Sequence, residues 1–227
     1  MGVMGDPKVT QLATNWLRNR RAQDKGRPWL LVLDLVNPHD IAWYPVDHEW
    51  WQQANPDRAQ QSRRDFESWG LDWMDDPLPA VPNDAYPRVF DELSPNFWDA
   101  LHTKPEAHRQ FAWDWNHGRM GNLDPDDRDT WLRMLDYYYW LHQKVDVEVG
   151  LVLDALEDSG FADTTMTFYT SDHGEMAGSH GLRGKGPFVY EENLNIPLYV
   201  TGPDVPPGTV TTALGSHVDF APTLLSL

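Results

Sequence analysis

The stretch TSDHGEMAGSHGLRGKG, residues 170–186, begins where the run TTMTFY (164–169) ends. It holds two acids, Asp172 and Glu175, two histidines, His173 and His180, the lysine Lys185, and glycines at 174, 178, 181, 184 and 186. An apolar β-rich run that stops in polar and conformationally permissive residues reads as a buried strand opening into a loop. In open α/β sheets ligands bind just beyond the carboxyl ends of strands, so chemistry is expected at this point of the chain.

Working outward, Trp131, Leu135, Tyr138, Leu141, Val145, Val149, Val152 and Leu156 recur at helical spacing and give one apolar face. Asp124-Pro125 offers an N-cap with Pro at the first helical position, Ser159-Gly160 a stop, and Gly150 a place to bend. After the loop come a short strand, IPLYVTG, and a terminal segment, HVDFAPTLLSL. Toward the N-terminus, VTQLATNWLRNRRAQ predicts a polar helix and PWLLVLDLV a strand buried on both faces, ending in Asn37, Pro38, His39 and Asp40. Between these parts, residues 45–124 carry eight of the 18 prolines and most of the 12 tryptophans without long periodicity. This stretch predicts an irregular insertion with short helices, such as 56–69, held by aromatic packing. Strand, helix and strand in this order predict an α/β layered domain.

Composition narrows the function classes. With 41% hydrophobic and 23% charged residues the chain reads as globular, and no apolar run reaches the roughly 18–20 residues of a membrane span. The first residues contain no apolar core of a signal peptide, and Asp6 stands where a myristoylation signal has Ser or Thr. No cysteine is present, which excludes disulfides and a cysteine nucleophile within these residues. The net charge of −17 repels phosphate backbones and anionic lipid, so no nucleic-acid partner is expected, and an anionic substrate needs local positive charge.

Two strand ends carry such chemistry: NPHD after LLVLDLV, and SDHGE after TMTFYT. Asp172 and His173 offer an oxygen and a nitrogen to a divalent cation. Adjacent residues of an extended strand point to opposite faces, so they share a metal only if the chain bends, which Gly174 permits. Lys185 suits an oxyanion beside a cation, and His39 suits donation to an anion or to a leaving oxygen. Each has a plainer alternative: a turn for Asp-His-Gly, a solvated side chain for Lys185, a backbone partner for His39, and a loop cap for His180. His117, His217 and Asp146 read as structural. The H-x-E of zinc deaminases lacks its cysteine pair, Ser179 does not fit a nucleophile elbow, and no P-loop or dinucleotide fingerprint occurs.

Taken together, the motifs from the long helix through SDHGEMAGSHGLRGKG, the Glu191-Glu192 pair, Ile196-Pro197 and DFAPT resemble the sulfatase family of the alkaline phosphatase superfamily. Resemblance is close over about residues 125–227, fair over 8–44, and undetectable in the Trp-rich stretch. It implies an α/β, alkaline phosphatase-like mixed sheet with helices on both faces, incomplete in this chain. Residues 1–227 would be a partial catalytic domain with 45–124 as its insertion. It implies Asp172 and His173 as ligands of a catalytic cation, calcium by preference, with Lys185 on the sulfate and bridging oxygens and His39 on the sulfate or the departing alcohol.

The sulfatase formylglycine segment, C/S-x-P-S/A-R, does not occur here, and neither does a strand-borne Asp-Asp pair; Asp75-Asp76 and Asp126-Asp127 follow no strand. The resemblance therefore implies the middle part of a metal-dependent sulfuric ester hydrolase, inactive alone, acting on a small-molecule or carbohydrate sulfate ester. Two other readings stand beside it: a phosphonate monoester or phosphodiester hydrolase of the same superfamily, with manganese preferred, and a non-catalytic anion- or glycan-binding protein. All enzyme readings require His39, Asp172, His173 and Lys185 to converge, with His39 within about 15 Å of Lys185.

Overall fold

The computed structural model describes residues 2–23, 26–66, 68, 80–118 and 121–226. Its spine is a pair of helices, α1 (Gly2–Gln23) and α5 (Arg128–Ser159), packed along one another. On α1 the buried residues Asp6, Thr10, Ala13, Thr14 and Leu17 recur at helical spacing, so the seam is small and half polar. On α5 the seam and core face runs through Trp131, Met134, Tyr137, Leu141, Val145 and Ala155, close to the expected stripe. The helix ends as the sequence predicts: Gly160 caps it in the left-handed region at φ 76°.

Its start differs. The N-cap is Asp127, whose carboxylate accepts from Thr130 N–H at 3.2 Å. Asp124 instead opens a turn, accepting from Asp126 N–H at 3.0 Å through its side chain and from the Trp131 indole at 3.0 Å through its carbonyl. Both aspartates can cap, and the buried Trp131 decides between them by tying its ring back to the upstream one.

Strands β1 (Thr167–Thr170) and β2 (Leu198–Thr201) form an antiparallel pair, with Phe168 opposite Val200 and Tyr169 opposite Tyr199. Helix α7 (Phe220–Ser226) lies on β1 through Phe220 against Phe168, centroids 5.5 Å apart. The run 28–36, expected as a strand buried on both faces, joins no ladder in the described residues and is not doubly covered. Leu30, Val32 and Val36 are exposed while Leu31, Leu33 and Leu35 are half-buried. Its apolar sequence meets the requirement of a strand core, but a ladder also needs a neighbouring strand, and none lies beside it among the described residues.

Among the described residues, 45–124 contribute the short helices α2 (Glu49–Ala54), α3 (Pro56–Phe66) and α4 (Glu106–His117). Aromatic packing holds the segment to α5: Tyr44, Tyr86, Phe97, Trp131 and Tyr137 share one buried cluster with Ile41, Leu123 and Leu141. The distal part of the helix expected over 56–69 and the Asp75-Asp76 pair fall outside the described residues. No helix among the described residues is long and apolar enough to cross a membrane.

Candidate active site

The loop that leaves β1 is built on two apolar anchors. Met176 and Leu182 are buried with Leu101 and Phe188 beneath the loop; Ser179 and Arg183 are buried with them, whereas Asp172 is exposed and His173, His180 and Lys185 are half-buried. The backbone then folds on itself, Gly178 N–H to Leu182 O at 2.8 Å and Met176 N–H to Gly184 O at 3.1 Å. Gly184 has φ +76° and its face lies against the Trp115 ring, which a Cβ would meet at 3.3 Å, so glycine is required there twice over. Gly174 serves differently from the expected hinge. A Cβ on it would stand 1.9 Å from Glu192 O, so its role is to let the chain lie against the short helix α6 (Glu191–Leu194). Gly174 N–H and Glu175 N–H donate to Asn193 O and Glu192 O at 3.0 and 3.1 Å.

The chain does bend at Asp172, and the two adjacent side chains meet: Asp172 Oδ2 lies 3.3 Å from His173 Nε2. His173 Nδ1 is 2.8 Å from Gly174 O, a carbonyl that only a protonated nitrogen can satisfy. In the neutral ring Nε2 then keeps its lone pair on the side of the carboxylate. Asp172 Oδ1 accepts from His173 N–H at 3.0 Å, and with its side chain 83% exposed the carboxylate keeps acceptor positions open to a ligand.

His39 and Lys185 stand 146 positions apart in sequence, and Lys185 Nζ lies 2.7 Å from His39 Nδ1. The distance condition set by the sequence is met. Burial lowers the His39 pKa, and the neighbouring Lys185 ammonium lowers it further; Asp40, His173 and Asp172 are its other charged neighbours. Burial also lowers Lys185, against the raising pull of Glu175 and Asp172. Lysine therefore donates to a neutral imidazole, whose Nε2 carries the ring proton.

His39 is placed by a residue absent from the motif. Asp6 of α1, 2% exposed, accepts from Val36 N–H at 2.7 Å and Asn37 N–H at 3.0 Å, pinning the approach to the 3-10 turn His39–Trp43. Glu175 closes the loop's base with its carboxylate on Ala177 N–H at 3.3 Å and on Gly184 N–H, one residue before Lys185. Burial raises its pKa against those two bonds. His180 ties the loop to the Trp-rich segment through Asp99 Oδ2 at 2.8 Å and Asn96 Nδ2 at 3.1 Å, and stacks on Tyr190. It acts as a clasp, not a loop cap. His217 bonds Ser171 O at 2.8 Å, as a structural residue would.

Asp172 and His173 suit a divalent cation in kind, one oxygen and one nitrogen donor facing each other, but not in number. Among the described residues no cluster of three or more His, Asp or Glu could hold a metal, while calcium takes about six to eight ligands.

The family model described as Sulfatase matches residues 3–227. This chain belongs to the sulfatase family. It is 42% identical to an N-acetylglucosamine-6-O-sulfatase of Bacteroides thetaiotaomicron over 247 aligned positions, covering 96% of this chain and 41% of that protein. It is 27% identical to arylsulfatase K of Canis lupus familiaris, covering 98% of this chain and 36% of the relative. The sulfatase chain thus spans less than half of the length of either relative. A crystal structure of a presumed sulfatase from Bacteroides thetaiotaomicron superposes with a TM-score of 0.57 at 18% identity, over 89% of this chain and 36% of that one. This likeness shows the α/β fold of the alkaline phosphatase type, to which the helix-rich frame and two-stranded sheet belong.

Proposed function

We propose that this chain forms part of a metal-dependent sulfuric ester hydrolase in which Lys185 and His39 handle the sulfate and Asp172 and His173 contribute to a cation site. The observation that carries this reading is the 2.7 Å contact between Lys185 Nζ and His39 Nδ1, with Asp172 and His173 among the charged neighbours of His39. A net charge of −17 gives the whole surface no attraction for an anion, so a local ammonium at a strand end is where one would be drawn. Lys185 is placed to neutralise the non-bridging oxygens, and His39, with its proton on Nε2, to donate to a sulfate oxygen or to the departing alcohol.

Asp172 and His173 would hold the cation, calcium by preference, together with ligands from outside the described residues. When bound, the cation supplies Lewis-acid polarisation of the S–O group. The sequence has no cysteine and no Ser-x-Pro-x-Arg segment, so the formylglycine nucleophile would come from outside these residues, and the chain would be inactive alone. The name of the 42%-identical relative favours a carbohydrate sulfate as substrate.

The test uses the full-length protein that contains this chain, assayed on paired aryl sulfate and aryl phosphonate esters with calcium and with manganese. Faster turnover of the sulfate, dependent on the cation and on Lys185, is expected. Preference for the phosphonate with manganese would move the assignment to phosphonate or phosphodiester hydrolysis, and turnover indifferent to Lys185→Ala would sink both.

A further inference from the structure

The His39–Lys185 contact joins two distant segments, and one buried side chain spans both. Arg183, two residues before Lys185 and 4% exposed, donates Nη1–H to Tyr44 O at 2.5 Å and Nη2–H to Gly121 O at 3.0 Å and to Trp115 O. Tyr44 is the C-cap of the 3-10 turn that begins at His39. It is itself fixed, its ring fully buried and its hydroxyl donating to Thr130 O at 3.0 Å on α5. Trp115 and Gly121 belong to the far end of the Trp-rich segment, and the same Trp115 ring backs Gly184. One guanidinium therefore gathers three carbonyls from separate parts of the chain around the residues leading into Lys185.

We propose that Arg183 is a positioning residue that sets the separation of His39 and Lys185 and hence, resting on the sulfatase reading, the width of the oxyanion pocket. The residue type follows from the geometry. Three divergent acceptors match the planar, five-donor fork of arginine, whereas a lysine ammonium on a flexible stem cannot keep all three at once. Burial lowers the guanidinium to about 10, so it stays charged at neutral pH and its bonds to the carbonyls are charge-assisted.

The experiment titrates inorganic sulfate into the full-length protein with ¹⁵N-labelled histidine and compares wild type, Lys185→Ala and Arg183→Lys, with thermal melts as the folding control. Wild type should show a sulfate-dependent His39 response and the Nδ1 shift of a nitrogen accepting from lysine. Lys185→Ala should lose both. Arg183→Lys should melt cooperatively, lose the Nδ1 signature and bind sulfate about tenfold more weakly, as expected when a charge-assisted contact is misplaced. A folded Arg183→Lys protein with wild-type affinity and an unchanged Nδ1 shift overturns the positioning role and leaves the pocket standing. A sulfate response that survives Lys185→Ala overturns the pocket instead. Should Arg183→Lys not fold, the wild-type protein decides. Restricted Nε–Cζ rotation and hydrogen-bond couplings from Arg183 to the Tyr44 and Gly121 carbonyls support the inference, and a freely rotating guanidinium refutes it.

Discussion

The dipeptide Asp-His occurs twice in this chain, at 47–48 and at 172–173, and the two copies meet opposite fates. At the first, Asp47 Oδ1 accepts from His48 Nδ1–H at 2.7 Å and His48 Nε2 accepts from the Tyr86 hydroxyl at 2.7 Å. The Tyr137 hydroxyl returns to Asp47 Oδ2 at 2.8 Å. The rings of Tyr44, Tyr86 and Tyr137 stand edge-on around His48, which is 1% exposed. Every strong acceptor and donor of the pair is used inside the protein. At the second copy one imidazole nitrogen and one carboxylate oxygen are used by the backbone, and the rest of the exposed Asp172 carboxylate faces solvent. Chemistry is possible where valences are left open, and specification of a fold where they are closed.

Substitutions should separate the two sites. The largest effect is expected from His48→Ala, which strands the Asp47 carboxylate in the core; about 3–5 kcal/mol of stability should be lost, read by urea denaturation. Next, Asp172→Ala in the full-length enzyme should lower kcat/KM roughly 10²–10³-fold while shifting stability by no more than about 0.5 kcal/mol. A fall in both together would mean that the open pair is structural as well. Tyr137→Phe, which removes one donor from Asp47, should cost about 1–3 kcal/mol and leave kcat untouched in the folded protein. The smallest effect concerns pH. The lowered pKa of His39 means that the unfolded chain binds its proton more readily. The corresponding share of stability is present above the unfolded pKa of about 6.5 and is lost as pH falls through the folded value. Melting temperature should therefore drop more steeply below about pH 6.5 in wild type than in His39→Asn.

How much of this was legible in sequence depends on where each residue finds its partner. The strand TMTFYT, the glycine stop at 160 and the meeting of His39 with Lys185 were readable because local pattern, or a motif, carries them. Asp6, Glu175 and Arg183 were not, because each serves backbone groups, several of them far along the chain, and a backbone amide or carbonyl leaves no mark in the letters. The closed ring at Asp47 was hidden for a related reason, since its two tyrosines come from positions 86 and 137. The run 28–36 misled in the other direction: its letters describe a strand, and a strand becomes part of a sheet only through a neighbour.

The two-stranded ladder has a practical consequence for anyone handling the chain by itself. All four residues of β2 are exposed, Tyr199 at 69% and Leu198 at 50%, and its far side carries amides and carbonyls with no third strand alongside among the described residues. Such a rim is a template for self-templated stacking. Preparations at high concentration should cloud or form oligomers through it, and a lysine at Tyr199 should keep them clear.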